Sequence, residues 1–258
     1  MTMRGIDISN WQTGLDLGRA KADGVSFAIC KLSEGRTYAD KAFDTFYRQA
    51  MDAGLPIGAY IYSHAVTPSE AVSEVNFALQ LLAGRDLPLG IYMDIETSDQ
   101  MSIPSGQLAE TVKAFCETVE SAGYISGIYG SEYQTWSRID PYDFPDSIIW
   151  VAHYGKQPVI PCDLWQKSDQ GTFPGFSGHV DQDDVMSDRM VNLINGKKPT
   201  YTPPIKDPIQ ATFPPDPSVL ILQMVLQYNG YWDQRPDGHK SKAFFDTMRE
   251  FIDDMEKC

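Results

Sequence analysis

The chain has 258 residues, of which 42% are hydrophobic and 12% aromatic, and this is enough to bury a large core. Its formal net charge of -14 repels nucleic acid, and no run rich in Lys and Arg offsets that charge. The apolar runs are too short to cross a membrane, and the first residues show neither a signal core nor a cleavage site. We therefore expect no nucleic-acid partner, no membrane insertion, and synthesis in the cytoplasm without a signal peptide.

The residue types that usually bind metals are scattered along the chain. Cys30, Cys116, Cys162 and Cys258 form no CxxC pair, and the histidines show no HExxH spacing. Ser and Cys residues lack a nucleophile elbow, and no glycine-rich phosphate loop is present. We expect no metal, no cofactor and no disulfide, and the cysteines are interpreted as buried or incidental thiols.

Short apolar runs alternate with amphipathic stretches from residue 4 to about residue 195. VSFAICKLSEG is followed by DKAFDTFYRQAMDAG, for example, and LPIGAYIYS by TPSEAVSEVNFALQLLAG. The amphipathic stretches have apolar residues at three-and-four spacing, which predicts helices. Each predicted helix closes on a glycine that can act as a C-cap, at Gly24, Gly54, Gly84 and Gly123. The repeated alternation of strand-like runs with helices that end on glycine predicts parallel βα units.

Eight strand-like runs occur, near residues 6, 27, 59, 92, 127, 150, 164 and 181, and the helices between them thin out after residue 130. An open doubly wound sheet is one solution. The count of eight favours a different solution, an α/β fold with an irregular (β/α) barrel of eight strands and fewer helices over residues 1–196. Residues 197–217 are too rich in proline for helix or sheet and predict a linker. Residues 218–258 predict a small helical domain.

Acidic residues end several of the predicted strands. Asp7 ends the first strand, Asp94 and Glu96 end the fourth, and Asp181 lies on the last. The active site of a parallel barrel forms at the carboxyl ends of its strands, so these acids would meet at one mouth. Other polar residues expected near this mouth are Lys31, Glu34, Tyr62 and Tyr129.

The segment IYMDIE at 91–96 places Asp94 and Glu96 on the same face of a strand. Crowded carboxyls in a partly dry pocket keep one protonated and another ionised, as cleavage of a glycosidic bond requires. A DxE pair is also typical of a magnesium site or of a solvated strand end. The apolar IYM, together with Asp7 and Asp181 at the same mouth, favours catalysis with Glu96 as general acid.

Aromatic residues cluster at or just past the same strand ends. Flat apolar rings with polar tips bind the faces and hydroxyls of sugars, although each ring alone could equally be packing in the core. The rings concerned are Trp11, Tyr62, Tyr129, Trp150, Tyr154 and Trp165. Their common placement predicts a carbohydrate groove.

Seven segments occur in a characteristic order: GIDISNWQ at 5–12, FAICKLSEGRTYAD at 27–40, AGLPIGAYIYS at 53–63, MDIE at 93–96, WVAHYG at 150–155, LWQ at 164–166 and GHVDQDDV at 178–185. Together they resemble glycoside hydrolase family 25, the Chalaropsis-type lysozymes or N-acetylmuramidases, which are common as phage endolysins and bacterial autolysins. The resemblance implies an irregular β/α barrel with eight strands. It also implies hydrolysis of the β-1,4 bond between N-acetylmuramic acid and N-acetylglucosamine in peptidoglycan, the expected partner.

The resemblance also assigns roles to residues. Glu96 matches the catalytic acid, Asp94 its partner, and Asp7 and Asp181 the supporting acids. Asp183 departs from the pattern, because Asn is common at this position, and it adds a negative charge near the pocket. The residues expected to bind substrate are Trp11, Lys31, Glu34, Tyr62, Tyr129, Trp150, Tyr154, Trp165 and Gln166.

Two retaining mechanisms fit the pair Asp94 and Glu96: direct attack by Asp94, or attack by the acetamido oxygen of the substrate with Asp94 stabilising the oxazolinium. We favour the second. The alternatives to a muramidase are a chitinase-like β-N-acetylglucosaminidase and a non-catalytic cell-wall-binding module. A phage endolysin released by a holin is the expected source of the activity. The C-terminal segment resembles in part a peptidoglycan-binding domain, with a structural cap or a dimerisation helix pair as the alternative, and the oligomeric state is left open.

Overall fold

A computed structural model describes residues 3–197, which form a closed barrel of eight strands. The barrel strands are β1 (Arg4–Ile8), β2 (Val25–Glu34), β4 (Ile57–Tyr62), β5 (Ile91–Ile95), β6 (Ser126–Ser131), β7 (Ile148–Ala152), β8 (Leu164–Gly171) and β9 (Val180–Val185). The pairing of β1 with both β2 and β9 closes the sheet. A two-residue strand, β3 (Tyr38–Ala39), pairs with β2 outside the closed ring. The predicted eight-stranded barrel is confirmed.

The direction of the last strand differs from the expectation of a parallel barrel. Strands β1, β2 and β4 to β8 run parallel, whereas β9 is antiparallel to both of its neighbours, β1 and β8. The connection at 172–179 is shorter than the dozen or so residues that a parallel crossover needs, so the chain turns back at once. Strand β9 therefore begins at the mouth where the other strands end.

Helices cover the first half of the barrel. Four of them connect successive parallel strands: α1 (Leu17–Ala22), α2 (Phe43–Ala53), α3 (Pro68–Leu82) and α5 (Ser105–Ser121). A short α4 (Ser98–Ser102) precedes α5, and α6 (Asp188–Ile194) follows β9. In the described chain, a 3₁₀ turn at Pro141–Asp143 is the only helical segment between β6 and β9. The predicted irregular second half of the barrel is thus confirmed.

Local sequence accounts for the helix ends. Thr67 caps α3 and forms a capping box with Glu70, with a proline in the first turn of the helix. Helix α2 ends on Gly54, which adopts the left-handed conformation at φ 60° as predicted. Helix α3 ends one residue earlier than predicted, on Ala83 at φ 49°, with Gly84 directly after it. Both helices therefore end on a left-handed residue, which is the predicted glycine itself in α2 and the residue directly before it in α3.

Two apolar clusters lie on opposite sides of the barrel wall. The outer cluster packs strand residues such as Ile6, Ile61 and Met93 against the helices. The inner cluster fills the barrel with residues of the opposite strand face, among them Phe27, Tyr92, Trp150 and Leu164. Successive side chains of a strand point to opposite faces, so each strand feeds both clusters alternately. The inner cluster forms a solid floor beneath the mouth.

The predicted linker at 197–217 and the predicted helical domain at 218–258 lie outside the described residues, apart from Lys197. The assignment of residues 1–196 to the barrel domain stays a prediction. No helix among residues 3–197 is long and apolar enough to span a membrane.

Candidate active site

A cavity of about 260 Å³ opens at the carboxyl ends of the parallel strands. Its walls combine acids, aromatic rings and a few other polar groups. The lining residues are Asp7, Ser9, Trp11, Lys31, Tyr60, Tyr62, Asp94, Glu96, Tyr129, Trp150, Tyr154, Gln166 and Asp181. The structure therefore brings the four predicted acids together around one cavity.

Strand β5 supplies the first pair of acids. Asp94 is 6% exposed, and Ile95 turns outward into the cluster under the helices. Glu96 follows the end of the strand on the same face as Asp94 and is exposed at the rim. Asp94 Oδ1 is buried and has no hydrogen-bond partner within residues 3–197. One acid of the pair is thus enclosed with an unused acceptor, and the other can reach a ligand from the rim.

Strands β1, β8 and β9 supply the second group. Asp7 of β1 is paired in register with Asp181 of the antiparallel β9. Between them lies the amide of Gln166, whose Nε2 donates to Asp7 Oδ2 at 2.8 Å and to Asp181 Oδ2 at 3.4 Å. The hydroxyls of Tyr129 and Tyr154 donate to Gln166 Oε1 at 2.7 and 3.2 Å. These donors and acceptors fix the orientation of the amide, because only Nε2 can donate to the carboxylates.

Loss of water changes the acidity of the β5 pair. Burial raises the pKa of Asp94 well above its ordinary value, the charge of Glu96 raises it further, and Lys31 opposes the rise. The pKa of Glu96 is also raised, because its carboxyl loses water against the cavity wall even though the residue reaches solvent at the rim. Two adjacent carboxyls of this kind do not both ionise readily near neutral pH.

The carboxyls of the second group, Asp7 and Asp181, also have raised pKa values. Burial raises the pKa of Asp7 well above its ordinary range, and the charges of Asp183 and Asp181 add to the effect. Burial also raises the pKa of Asp181, to about 6. Within residues 3–197 no group of three or more His, Cys, Asp or Glu side chains is arranged to hold a metal ion. Crowding and burial, opposed in part by hydrogen bonds, account for these shifts.

Lys31 is the only positively charged residue among those described around the cavity. Its side chain is 12% exposed, and Nζ binds Glu34 Oε2 at 2.6 Å. The same Nζ lies 4.7 Å from the centre of the Tyr62 ring. Its ion pair and its aromatic contact therefore hold the ammonium beside the β5 acids, where it limits their mutual repulsion.

Trp11 is an exposed ring on a rigid support. It is 83% exposed and lies in a 3₁₀ turn at Asn10–Gln12. Ser9 and Gln12 form a capping box around this turn, and Gln12 Nε2 also donates to the carbonyl of His179 at 3.1 Å. The structure thus holds a large apolar ring in water at the edge of an acidic cavity, which is the arrangement that sugar faces favour.

A comparison with known protein families agrees with this site. The model of the glycosyl hydrolases family 25 matches residues 6–176, which is well over half of the 258 residues. The chain belongs to glycosyl hydrolase family 25. The family predicted from the ordered motifs, and the class of glycoside hydrolase that goes with it, are therefore confirmed.

Individual members of family 25 are similar over the barrel. The chain is 32% identical to the autolytic lysozyme of Clostridium acetobutylicum over 187 residues, or 70% of this chain and 55% of that protein. It is 28% identical to lysozyme M1 of Streptomyces globisporus over 207 residues, 70% of this chain and 66% of that protein. The match thus spans between half and two thirds of these relatives.

The crystal structure of the bacterial lysozyme from Streptomyces coelicolor has the same fold. It superposes with a TM-score of 0.64 at 24% identity, over 77% of this chain and 99% of that chain. At this level of identity the similarity establishes the fold, and it supports the closed barrel found here.

Two of the residues that the sequence predicted to bind substrate do not line the cavity. Trp165 pairs with Val151 on the outer face of the barrel, and its Nε1 donates to the carbonyl of His153 at 2.7 Å. Strand alternation gives the inner face to Gln166 instead. Glu34 lies at the edge of a neighbouring cavity of about 470 Å³, where its carboxyl holds Lys31 and contacts His64. The other predicted residues all line the family 25 cavity.

Sequence analysis missed two lining residues, Ser9 and Tyr60. Each lies two positions from a predicted site residue, Ser9 after Asp7 and Tyr60 before Tyr62. The two-residue period of a strand would have placed them on the same face. Asp183, two residues after Asp181, lies on this face too, but it is wholly buried below the cavity.

Proposed function

We propose that this family 25 chain is an N-acetylmuramidase, a lysozyme that hydrolyses the β-1,4 bond between N-acetylmuramic acid and N-acetylglucosamine in bacterial peptidoglycan. The observation that carries the proposal is the pair Asp94 and Glu96, two carboxyls with raised pKa values at the end of β5 in one acidic cavity. The names of two relatives, an autolytic lysozyme and lysozyme M1, support the choice of substrate.

Glu96 is the proposed general acid and base. Burial raises its pKa and so favours the protonated form, and its place at the rim exposes it to a leaving oxygen. The Tyr129 hydroxyl, which contacts Glu96, gives its one proton to Gln166 Oε1 at 2.7 Å. Its contact with Glu96 lowers the pKa of that acid and so opposes part of the rise that burial causes.

Asp94 is the proposed partner that stabilises positive charge on the sugar. Its buried Oδ1 has no hydrogen-bond partner within the described chain, so it is free to accept from an acetamido N–H. In the acetamido-assisted route, the substrate carbonyl oxygen attacks the anomeric carbon and Glu96 protonates the departing oxygen. Water, deprotonated by Glu96, then opens the oxazolinium with net retention.

Direct attack by Asp94 would also give retention, but through a covalent glycosyl-enzyme ester. The two routes differ in what accumulates. A slow substrate that lacks the acetamido carbonyl should be turned over only if Asp94 itself attacks, and intact-mass measurement of the protein would then detect an ester. We expect no adduct and no turnover of this substrate.

Binding of the glycan involves the ring of Trp11 and the polar groups of Lys31, Tyr62 and Tyr154. Trp11 and Tyr154 are exposed, at 83% and 52%, although each is held from below by its own contacts. Rings fixed in this way lose little conformational entropy when a sugar stacks on them.

The decisive experiment is a digest of purified peptidoglycan by the full chain, followed by reduction and mass spectrometry of the products. Muramic acid at the new reducing ends is expected. Glucosamine at the reducing ends would overturn the muramidase and favour the chitinase-like hexosaminidase. Binding to peptidoglycan without release of any reducing ends would favour the non-catalytic module.

Cell-wall binding by the C-terminal segment and origin as a holin-released endolysin stay predictions. A chain cut after residue 197 would test the first: retained affinity for cell walls would contradict a binding role for residues 198–258. Expression inside a bacterial host with and without a membrane-permeabilising holin would test the second, and lysis is expected only with the holin.

A further inference from the structure

Glu96, the proposed general acid, lies just beyond the last residue of its strand. Strand β5 ends at Ile95, which pairs with Gly130 of β6, and Glu96 itself is exposed at the rim. The pairing of the strands therefore does not fix the backbone of Glu96. A general acid has to meet the leaving oxygen at hydrogen-bond distance, so other contacts have to hold the peptide bonds on either side of it.

A buried hydroxyl holds the peptide bond before Glu96. Thr135 is 0% exposed, and its Oγ1 donates to the carbonyl oxygen of Ile95 at 3.0 Å. Gly130 makes this approach possible, because a Cβ at that position would lie 2.5 Å from the Cβ of Thr135. The hydroxyl thus binds the carbonyl that directly precedes the acid.

Thr135 is itself held in place by its neighbours. It lies in the turn that follows β6, where its amide donates to the carbonyl of Ser131 at 3.0 Å. The next residue, Trp136, is 0% exposed, and its Nε1 donates to the carbonyl of Gly130 at 3.1 Å. Because the side chain of Thr is also stiff at χ1, the hydroxyl on this support has little freedom to leave the carbonyl that it binds.

A buried amide holds the peptide bond after Glu96. The N–H of Thr97 donates to Oε1 of Gln100 at 3.1 Å, as part of the capping box that begins α4. Gln100 is 0% exposed, and its Nε2 donates to the carbonyl of Ala65 at 3.3 Å, which fixes the orientation of the amide. Both peptide bonds that flank Glu96 are therefore bound by buried side chains.

Arg138 joins the two sides of this arrangement. Its Nη1 donates to the carbonyl of Gln100 at 2.8 Å, and its own N–H donates to the carbonyl of Thr135 at 3.0 Å. The turn after β6 and helix α4 are therefore connected to each other, as well as to the backbone on either side of Glu96. A shift of either contact is resisted by the other.

We propose that Thr135 and Gln100 are positioning residues, which hold the peptide bonds on either side of Glu96 and so direct its carboxyl towards the leaving oxygen. The inference rests on the proposed function of Glu96, which it deepens. Neither side chain is among those that line the cavity, so neither is expected to touch the substrate. Loss of either contact should therefore lower kcat and leave KM nearly unchanged.

The test compares Thr135→Val with Thr135→Ser in the full chain, well below the unfolding temperature of each. Val has the shape of Thr without the hydroxyl, whereas Ser keeps the hydroxyl. We expect Thr135→Val to lower kcat on peptidoglycan by roughly 5- to 30-fold with KM within about twofold, while Thr135→Ser keeps kcat within about threefold.

Thr111→Val is a matched control for the loss of a buried hydroxyl. Thr111 is 0% exposed, and its Oγ1 donates to the carbonyl of Gln107 at 2.8 Å within α5. The substitution, the burial and the type of hydrogen bond are therefore the same as at Thr135. Thr111→Val should lose a comparable amount of stability and keep the kcat of the wild type.

A second measurement does not depend on substrate. Burial raises the pKa of Glu96, so a carboxyl released from its position should gain water and titrate closer to its ordinary value. Titration of Glu96 followed by NMR should therefore give a lower pKa in Thr135→Val than in the wild type, and no change in Thr111→Val. If Thr135→Val does not fold, Gln100→Met removes the other contact at similar volume and is expected to show the same two effects.

A wild-type kcat in folded Thr135→Val, or an equal loss of kcat in Thr111→Val or Thr135→Ser, would overturn the proposal. So would an unchanged titration of Glu96 in both Thr135→Val and Gln100→Met. A wild type that cleaves no peptidoglycan would instead count against the proposed function, and the titration would still test the two contacts.

Discussion

The two sides of the cavity hold their carboxyls in opposite ways. On the β5 side, Asp94 has an unused acceptor and Glu96 stands at the rim, with Lys31 as the nearby positive charge. On the side of β1, β8 and β9, Asp7 and Asp181 accept from the amide of Gln166. The difference separates two tasks. A carboxyl with an unpaired acceptor oxygen can bind a substrate, whereas carboxyls whose oxygens already accept hydrogen bonds define the shape and charge of the site.

The largest expected effect comes from the β5 side. Glu96→Gln removes the proton donor but keeps the shape, and we expect kcat on peptidoglycan to fall by roughly 10²- to 10⁴-fold with an unchanged unfolding temperature. Glu117→Gln is a matched control, because Glu117 lies on α5 in an exposed ion pair with Lys113. Turnover by Glu96→Gln close to that of the control would contradict the assignment of the acid.

The opposite side should respond more moderately. Gln166→Met removes the donor between Asp7 and Asp181 and the acceptor of two tyrosine hydroxyls at similar volume. We expect kcat to fall by roughly 10- to 100-fold because the supporting acids lose their orientation. Kinetics on soluble peptidoglycan fragments measure this effect, and a loss as large as that in Glu96→Gln would show that the two sides are not distinct in role.

A smaller effect is expected at the rim, where Trp11 contributes to binding alone. Trp11→Ala should raise KM by roughly 3- to 10-fold, with kcat and the unfolding temperature nearly unchanged, because the ring is 83% exposed. Trp11→Phe, which keeps an apolar face, serves as the control and should recover most of the affinity. A reduced kcat in Trp11→Ala would instead place the turn at Asn10–Gln12 in the chemistry.

The smallest effect is on stability as a function of pH. The pKa of Asp181 rises to about 6 in the folded chain, and burial also raises those of Asp7 and Asp94 well above the ordinary value, so the folded state binds more protons than the unfolded state. Stability due to these groups is then fully present below the pKa of an ordinary Asp, about 4, and falls as pH rises through the raised values. We expect the unfolding temperature to drop by a few degrees between pH 5 and pH 7. An increase over that range would contradict the burial of these acids.

Sequence patterns predicted most of the barrel because its strands and helices are specified by residues close together in the chain. Alternating strand residues, amphipathic helices and glycine stops defined the strands and the helices of the first half. The same period placed Asp94 and Glu96 on one face, and it could have found Ser9 and Tyr60. Trp165 lies outside the cavity because its position near a strand end does not reveal which of two adjacent residues faces inward.

The sequence by itself determined the family, the number of strands and which residues share a strand face. These follow from backbone periodicity and from motif order, and both are properties of the chain alone. The tertiary structure decided the direction of β9, which sets Asp181 beside Asp7 and buries Asp183 behind them. It also decided that Gln166 would join the two acids. These relations depend on pairing between strands far apart in the chain, where closure of the barrel fixes direction and register that no local pattern specifies.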